Sequence, residues 1–152
     1  VNGTELSPFV KALDLKPHFE GGWYREVWKS EIVIPQSVLG AEYSGARPSA
    51  TLIYYLLHPG EESRWHRVKS DEIWLWHAGG PLRLRVGGKG EKPESEAEYI
   101  LGSDVTAGQQ FQVIVPALVW QMAEPLGNEP VLVSCVVSPG FHIDDFEMIG
   151  NK

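Results

Sequence analysis

The chain has 152 residues, 43% of them apolar and 11% aromatic, the size and composition of one globular domain (1–152) long enough to bury a substantial core. A formal net charge of −7 and a pI near 5.2 argue against nucleic acid or an anionic membrane as partner, because both are held through clustered Lys and Arg. No apolar run approaches the roughly 18 residues of a membrane-crossing helix. No basic region followed by an apolar core opens the chain, and the lone Cys135 leaves no internal disulfide, so a cytoplasmic protein is expected.

Ser7 as cap, Pro8 in the first turn and the apolar stripe Phe9, Val10 and Leu13 predict a short N-terminal helix, ending by Pro17 and covering an edge or mouth of the β-structure. Glu20-Gly21-Gly22 turns the chain into a strand over Trp23–Lys29, where Trp23, Arg25 and Val27 alternate with Tyr24, Glu26 and Trp28. Aromatics on both faces imply that neither is left to solvent, so stacked sheets and a second subunit, a homodimer, are expected. Residues 35–48 read as a long Gly/Pro/Ser loop placed to fold over a site. Thr51–Leu57 is a near-continuous apolar strand in which Tyr54 and Tyr55 face opposite ways.

The stretch 60–79, GEESRWHRVKSDEIWLWHAG, holds two of the five histidines and three of the six tryptophans. Residues 63–68 and 71–77 are two short strands about the polar break Lys69-Ser70, a hairpin. Side chains two apart share a face, so Glu72, Trp74 and Trp76 point one way and Ile73, Leu75 and His77 the other. With His66 aimed at the first face, an imidazole and a carboxylate meet above indole rings. That arrangement suits acid/base work or metal binding, and equally a hydrogen-bonded pair closing a barrel interior. Strand parity then puts Arg64 and Val68 on the face of His66 and Trp65 and Arg67 opposite.

Leu82–Val86 alternates leucine and valine with Arg83 and Arg85, a half-solvated strand. Residues 87–98 are a charged, turn-rich hairpin tip, strands follow at 99–101, 110–115, 119–123 and 131–138, and the segment after Gly140 reads as a last helical turn. Cys135, flanked by valines and a serine, reads as a buried small hydrophobe. About nine short strands spaced near ten residues call for an antiparallel sandwich or barrel, with an immunoglobulin-like sandwich left equally open.

Gly60, His66, Val68, Glu72 and Gly79 fall at the spacing Gly-x5-His-x-His-x3-Glu-x6-Gly, with Val68 at the second histidine. This resembles the first cupin motif. The second, Gly-x5-Pro-x-Gly-x2-His-x3-Asn, is echoed loosely from Gly108 through Pro116, with Leu118 at the glycine and Gln121 at the histidine. Together with PHFEGGWYREVWKS, VPALVWQMA and SPGFHIDDFE, these strings resemble the short single-domain cupins of unassigned function. The resemblance implies an all-β fold, the cupin-type double-stranded β-helix or jelly-roll barrel.

Three functions follow as expectations. A metal would have only His66, Glu72 and the neutral amide of Gln121, short of the usual three strong donors, so no cofactor is expected. Metal-free acid/base chemistry would use His66 oriented by Glu72, with Tyr54 or Tyr55 opposite, as in the cupins that epimerise nucleotide-linked keto sugars, an analogy of fold. Trp74, Trp76 and Trp120 would wall a sugar-like ring beside Gln121, and Arg25, Arg64 and Arg67 would meet the phosphates of a nucleotide sugar. The third reading is a ligand-binding or storage-type cupin without turnover. No phosphate-binding loop, dinucleotide glycine fingerprint, nucleophile elbow or Cys-x2-Cys pair is present.

Overall fold

Val131, Val133, Cys135 and Val137 alternate along one strand, all buried, and this strand is the spine of the larger sheet. The computed structural model describes residues 5–149. In chain order its elements are α1 (Pro8–Ala12), β1 (Lys16–Pro17), β2 (Trp23–Lys29), β3 (Val33–Ile34), α2 (Gln36–Leu39), β4 (Arg47–Pro48) and β5 (Thr51–Leu57). The hairpin follows as β6 (Ser63–Arg67) and β7 (Asp71–Gly79). Then come β8 (Leu82–Val86), β9 (Ala97–Leu101), β10 (Gln112–Val115), β11 (Gln121–Pro125), β12 (Val131–Ser138) and β13 (Glu147–Met148).

Six strands run β1-β2-β5-β12-β7-β10 in one sheet and five run β13-β6-β11-β8-β9 in the other, every pairing within them antiparallel. The two inner faces pack as a jelly roll. At one end the interior is solid, filled by Leu57, Leu82, Leu84, Leu101, Val113 and Val131. Toward the other end it opens into a cavity, and Tyr55, Trp74 and Cys135 belong to both the packed core and the cavity wall.

Two local features decide which side chains reach that cavity. On β6, His66 lies opposite Gln121 but Ser63 lies opposite Ala123, so three steps on one strand face two on the other. This bulge reverses the parity upstream of His66, and Ser63, not Arg64, is buried while Arg64 is exposed. On β5, Tyr55 is buried against the core and Tyr54 faces outward.

The long loop expected over 35–48 carries the short helix α2 and the strand β4, and it buries Arg47. The expected last helical turn is a 3-10 turn over Ile143–Asp145, after which β13 pairs with the edge of β6. Helix α1, capped by Ser7 Oγ accepting from the Phe9 N–H at 3.2 Å, lays Phe9, Val10 and Leu13 on the outer face of the larger sheet near Leu56 and Leu132. Beyond it, Trp28, Leu52, Val136, Ile73 and Ile114 form one cross-strand row on that outer face, and Trp28 and Ile114 are 49% and 63% exposed.

Candidate functional site

The cavity encloses about 220 Å³ and is lined by His66, Val68, Glu72 and Trp74 from the hairpin, with Tyr24, Tyr55 and Cys135 from the larger sheet. His66 and Glu72 are both buried, and both reach it. They do not hydrogen-bond each other among the described residues; each is held by a different partner.

His66 Nδ1 lies 2.8 Å from the Arg64 carbonyl, and a carbonyl can only accept, so Nδ1 carries the hydrogen. In the neutral ring Nε2 is therefore the lone-pair nitrogen, and the charged group closest to it is Glu20 Oε2 at 3.7 Å. The ring stacks on Phe146 at 5.3 Å between centroids and 16° between planes. Glu72 accepts at Oε1 from the Gln121 Nε2 amine at 2.9 Å. The amide cannot turn over, because its oxygen accepts from the Trp74 indole N–H, a donor only, at 2.7 Å.

Burial pushes Glu72 up from its ordinary 4.5 to about 7; His66 pulls it down, Glu20 pushes it further up, and hydrogen bonds from Gln121 and Cys135 pull it down. Near neutrality the carboxyl is thus poised between acid and base. Burial also holds Cys135 far above the usual thiol range and Tyr55 well above the usual phenol range, so neither ionises. The Tyr55 hydroxyl donates to the Gly21 carbonyl at 2.6 Å.

The raised Glu72 carries a stability signature. A folded-state value above the unfolded one means that stability is full below about 4.5 and falls as pH rises toward about 7, because the native state holds the proton longer. The cost of ionising it is on the order of 3 kcal/mol. Glu72→Gln, which keeps the acceptor for Gln121, should therefore melt several degrees higher than wild type at pH 8, and the gap should close toward pH 4.5. Thermal melts at both pH values check it, and a gap independent of pH would mean that the carboxyl titrates in the folded protein as it does in the unfolded chain.

Three residues of this site carry no signal of strand periodicity. His18, Phe19 and Glu20 sit in a tight turn closed by the His18 N–H to the Gly22 carbonyl at 2.8 Å and the Gly21 N–H to the His18 carbonyl at 3.0 Å. Gly21 is required there: its φ is +113°, and a Cβ would run into the Glu62 carbonyl. The turn aims Glu20 inward, where it accepts from the Ser63 hydroxyl brought in by the β6 bulge. His18 Nδ1 accepts from the Glu20 N–H at 3.0 Å, and burial lowers its pKa, with Glu20 raising and His66 lowering it, so the ring stays neutral. The string PHFEGGWYRE contained all three residues; read only as a turn, it gave them no chemistry.

Several expected contributors lie elsewhere. Tyr54 is on the outer face beside His77, at 6.3 Å between ring centroids, and Tyr55 is the tyrosine of β5 on the cavity. Trp76 packs against the core beyond the cavity, its indole N–H on the Gly80 carbonyl at 3.0 Å. Trp120 is fully buried, donates to the Gly90 carbonyl at 2.8 Å and lies 4.4 Å beneath the Arg67 guanidinium. Arg25 is exposed and donates to the Leu13 carbonyl, and Arg64 is exposed on the Phe19 carbonyl, so neither lines the cavity. Leu118, at the glycine of the second motif, holds a φ of +69°, a left-handed backbone that explains why glycine suits that position.

A metal does not fit these residues. Val68 presents an aliphatic group at the second motif histidine, and the Gln121 oxygen is taken by Trp74, which breaks the donor set of His66, Glu72 and Gln121. Among the described residues no group of three or more His, Cys, Asp or Glu side chains is set to hold a metal ion.

The sequence matches the family described as Cupin superfamily (DUF985) over residues 7–149. A hypothetical protein from Leishmania major is 34% identical, with 91% of this chain and 84% of that one covered and a TM-score of 0.78. A protein from Shewanella oneidensis is 37% identical, covering 93% and 82%, with the same TM-score of 0.78. An oxalate decarboxylase from Lactobacillus farciminis, 17% identical over 91% of this chain and 34% of that one at a TM-score of 0.56, shares the fold alone. No curated protein matches the chain. With the family matched across 7–149, two structures above 30% identity and a jelly roll in hand, the chain belongs to the cupin superfamily, in its DUF985 family.

Proposed function

We propose that this cupin moves a proton on a small ring-shaped polar guest, as an epimerase or isomerase. The observation that carries the reading is the lone pair of His66 Nε2 on the same small cavity as a Glu72 carboxyl poised near pH 7. His66 takes the proton from a carbon beside a carbonyl, and the imidazolium so formed is stabilised by Glu20 at 3.7 Å. Glu72, protonated, returns a proton to the enolate. Tyr24, Tyr55 and Trp74 supply flat walls for the ring.

The test is proton exchange: wild-type protein in D2O with a panel of aldoses and ketoses, followed by NMR for deuterium at the carbon next to the carbonyl. Incorporation dependent on His66 supports the reading. A guest that binds without any exchange would instead support the non-catalytic binding reading, which the 2% exposure of His66 beneath Phe146 favours. At about 220 Å³ the cavity is below the range of about 300–1,000 Å³ that holds drug-sized ligands, so a single sugar ring suits it better than a nucleotide sugar.

The reading includes a homodimer in a reducing, cytoplasm-like compartment, consistent with a single buried cysteine. Among the described residues no helix is long and apolar enough to cross a membrane. A second copy would cover the outer row of Trp28, Leu52, Val136, Ile73 and Ile114. Light scattering at micromolar concentration should give twice the chain mass, and Ile114→Lys should give the single mass; a monomeric wild type removes the dimer.

A further inference from the structure

The cavity that holds His66 and Glu72 has a sign. Three carboxyl side chains line it, Glu20, Glu26 and Glu72, and neither lysine nor arginine does. Glu20 and Glu72 are buried, and Glu26, on β2 with 40% of its side chain exposed and paired on its outer side with Lys29 at 4.0 Å, contributes less to the sign than the two buried carboxyls. The arginines close in sequence, Arg25 and Arg64, point outside to carbonyls. His66 Nε2 is on a side chain 2% exposed and has no hydrogen-bond partner among the described residues, so it presents a lone pair to a donor, while His18 on the same wall, its Nδ1 accepting from the Glu20 N–H, carries its hydrogen at Nε2. His18 is held neutral by burial.

Acceptors and negative charge thus face inward, framed by the aromatic rings of Tyr24, Tyr55 and Trp74. A carboxylate or phosphate would meet like charge without a compensating cation, which is costly in a partly dry site. An ammonium group reverses each of those interactions. Its N–H bonds match the carboxylates, and its charge is attracted to the ring faces.

We infer that the guest is a cyclic amine of single-ring size, an amino sugar in the sugar-like class, bound with its ammonium toward Glu20 and leaving His66 Nε2 free for the proton. The inference rests on the proposed reading of this cavity as the functional site. It specifies the charge of the substrate, which that reading leaves open.

A cation in the cavity also favours the ionised form of Glu72, so binding should tighten from pH 6 toward about 7 and weaken again at higher pH, where the free amine itself loses its proton. The titratable or charged groups facing Glu72 are Glu20 from the turn, His66 from β6, Cys135 from β12 and Tyr55 from β5, with His18 and Glu26 farther along the wall. Cys135 and Tyr55 do not ionise in this range.

Calorimetry with D-glucosamine, D-glucose and D-glucuronate, matched in ring and size, tests the charge directly. At pH 7, where glucosamine still carries its proton, it should bind at least about tenfold more tightly than glucose, with glucuronate the weakest, and the preference should shrink at pH 6. Glu20→Gln should erase most of the preference. Should that variant fail to fold through loss of its Ser63 contact, Glu72→Gln, which keeps its Gln121 bond, should abolish the change in preference between pH 6 and pH 7 instead. Glucose binding as tightly as glucosamine, glucuronate binding best, or no measurable binding of any of the three overturns the inference. Proton exchange on neutral sugars without an amine preference would leave the acid/base reading standing and remove only the amine. An amine preference without exchange would do the reverse.

Discussion

His66→Asn should lower proton exchange on an accepted guest by about 10²–10⁴-fold, the usual contribution of a positioned general base, while the guest's affinity changes only a few-fold. Asparagine is the informative replacement because its amide N–H₂ approximates Nδ1 and keeps the donation to the Arg64 carbonyl, while nothing remains at Nε2. Among its hydrogen-bonding groups, only the lone pair on the cavity is removed. The shorter side chain leaves space beside Phe146, so a stability loss of about 1–3 kcal/mol accompanies it, and the assay belongs well below the variant's melting temperature. Glu20→Gln should cost less, because Glu20 acts on charge developing at Nε2 from 3.7 Å and takes no proton itself. Rates by NMR in D2O and affinities by calorimetry separate the two effects. An unchanged rate in His66→Asn would move the base to another group; lost affinity in a protein that never exchanges would make His66 a ligand-binding residue.

The hairpin made half of this site readable from residues alone. Glu72 and Trp74 share the cavity because period-2 alternation holds over β7, and His66 joins them across the Lys69-Ser70 turn. Parity failed where the backbone departed from the regular pleat. One extra residue in β6 exchanged Arg64 for Ser63, and with it a cationic interior for one that braces Glu20. Between Tyr54 and Tyr55 the pattern TLIYYLL is apolar on both faces, so nothing in it distinguishes inside from outside. Trp120 belongs to a segment read as strand that lies before β11, packed under Arg67. His18, Glu20 and Phe146 come from a turn and from the far end of the chain, where no local period exists and only the tertiary fold brings side chains together. The fold itself needed less, because strand spacing and the motif glycines mark the turns of a jelly roll whichever face each strand buries.

Asp145→Ala should cost about 3–5 kcal/mol, the largest stability loss expected from any single polar residue in this structure. Asp145 takes two N–H bonds from Arg47, Nε to Oδ2 and Nη2 to Oδ1, both at 2.8 Å, with side chains 3% and 2% exposed. Removing the carboxylate leaves a guanidinium that cannot lose its proton buried without its counter-charge, and this uncompensated charge, more than the lost attraction, sets the cost. For a domain of about 150 residues the melting midpoint should fall by roughly 10 °C. The double variant Arg47→Met with Asp145→Leu should recover most of that fall, since a packed apolar pair replaces a charge pair at little net cost. The pair also bears on the site: Asp145 precedes Phe146, the ring stacked on His66 and set edge-on to Phe19 at 4.7 Å, so it ties the C-terminal segment to the 43–47 loop that frames it. The double variant, though stable, should then show altered proton exchange if the ion pair sets the angle of Phe146, and unchanged exchange if packing alone does. A midpoint shift of only a degree or two for Asp145→Ala would mean that water reaches the guanidinium, and that the placement of Phe146 on His66 rests on aromatic contacts alone.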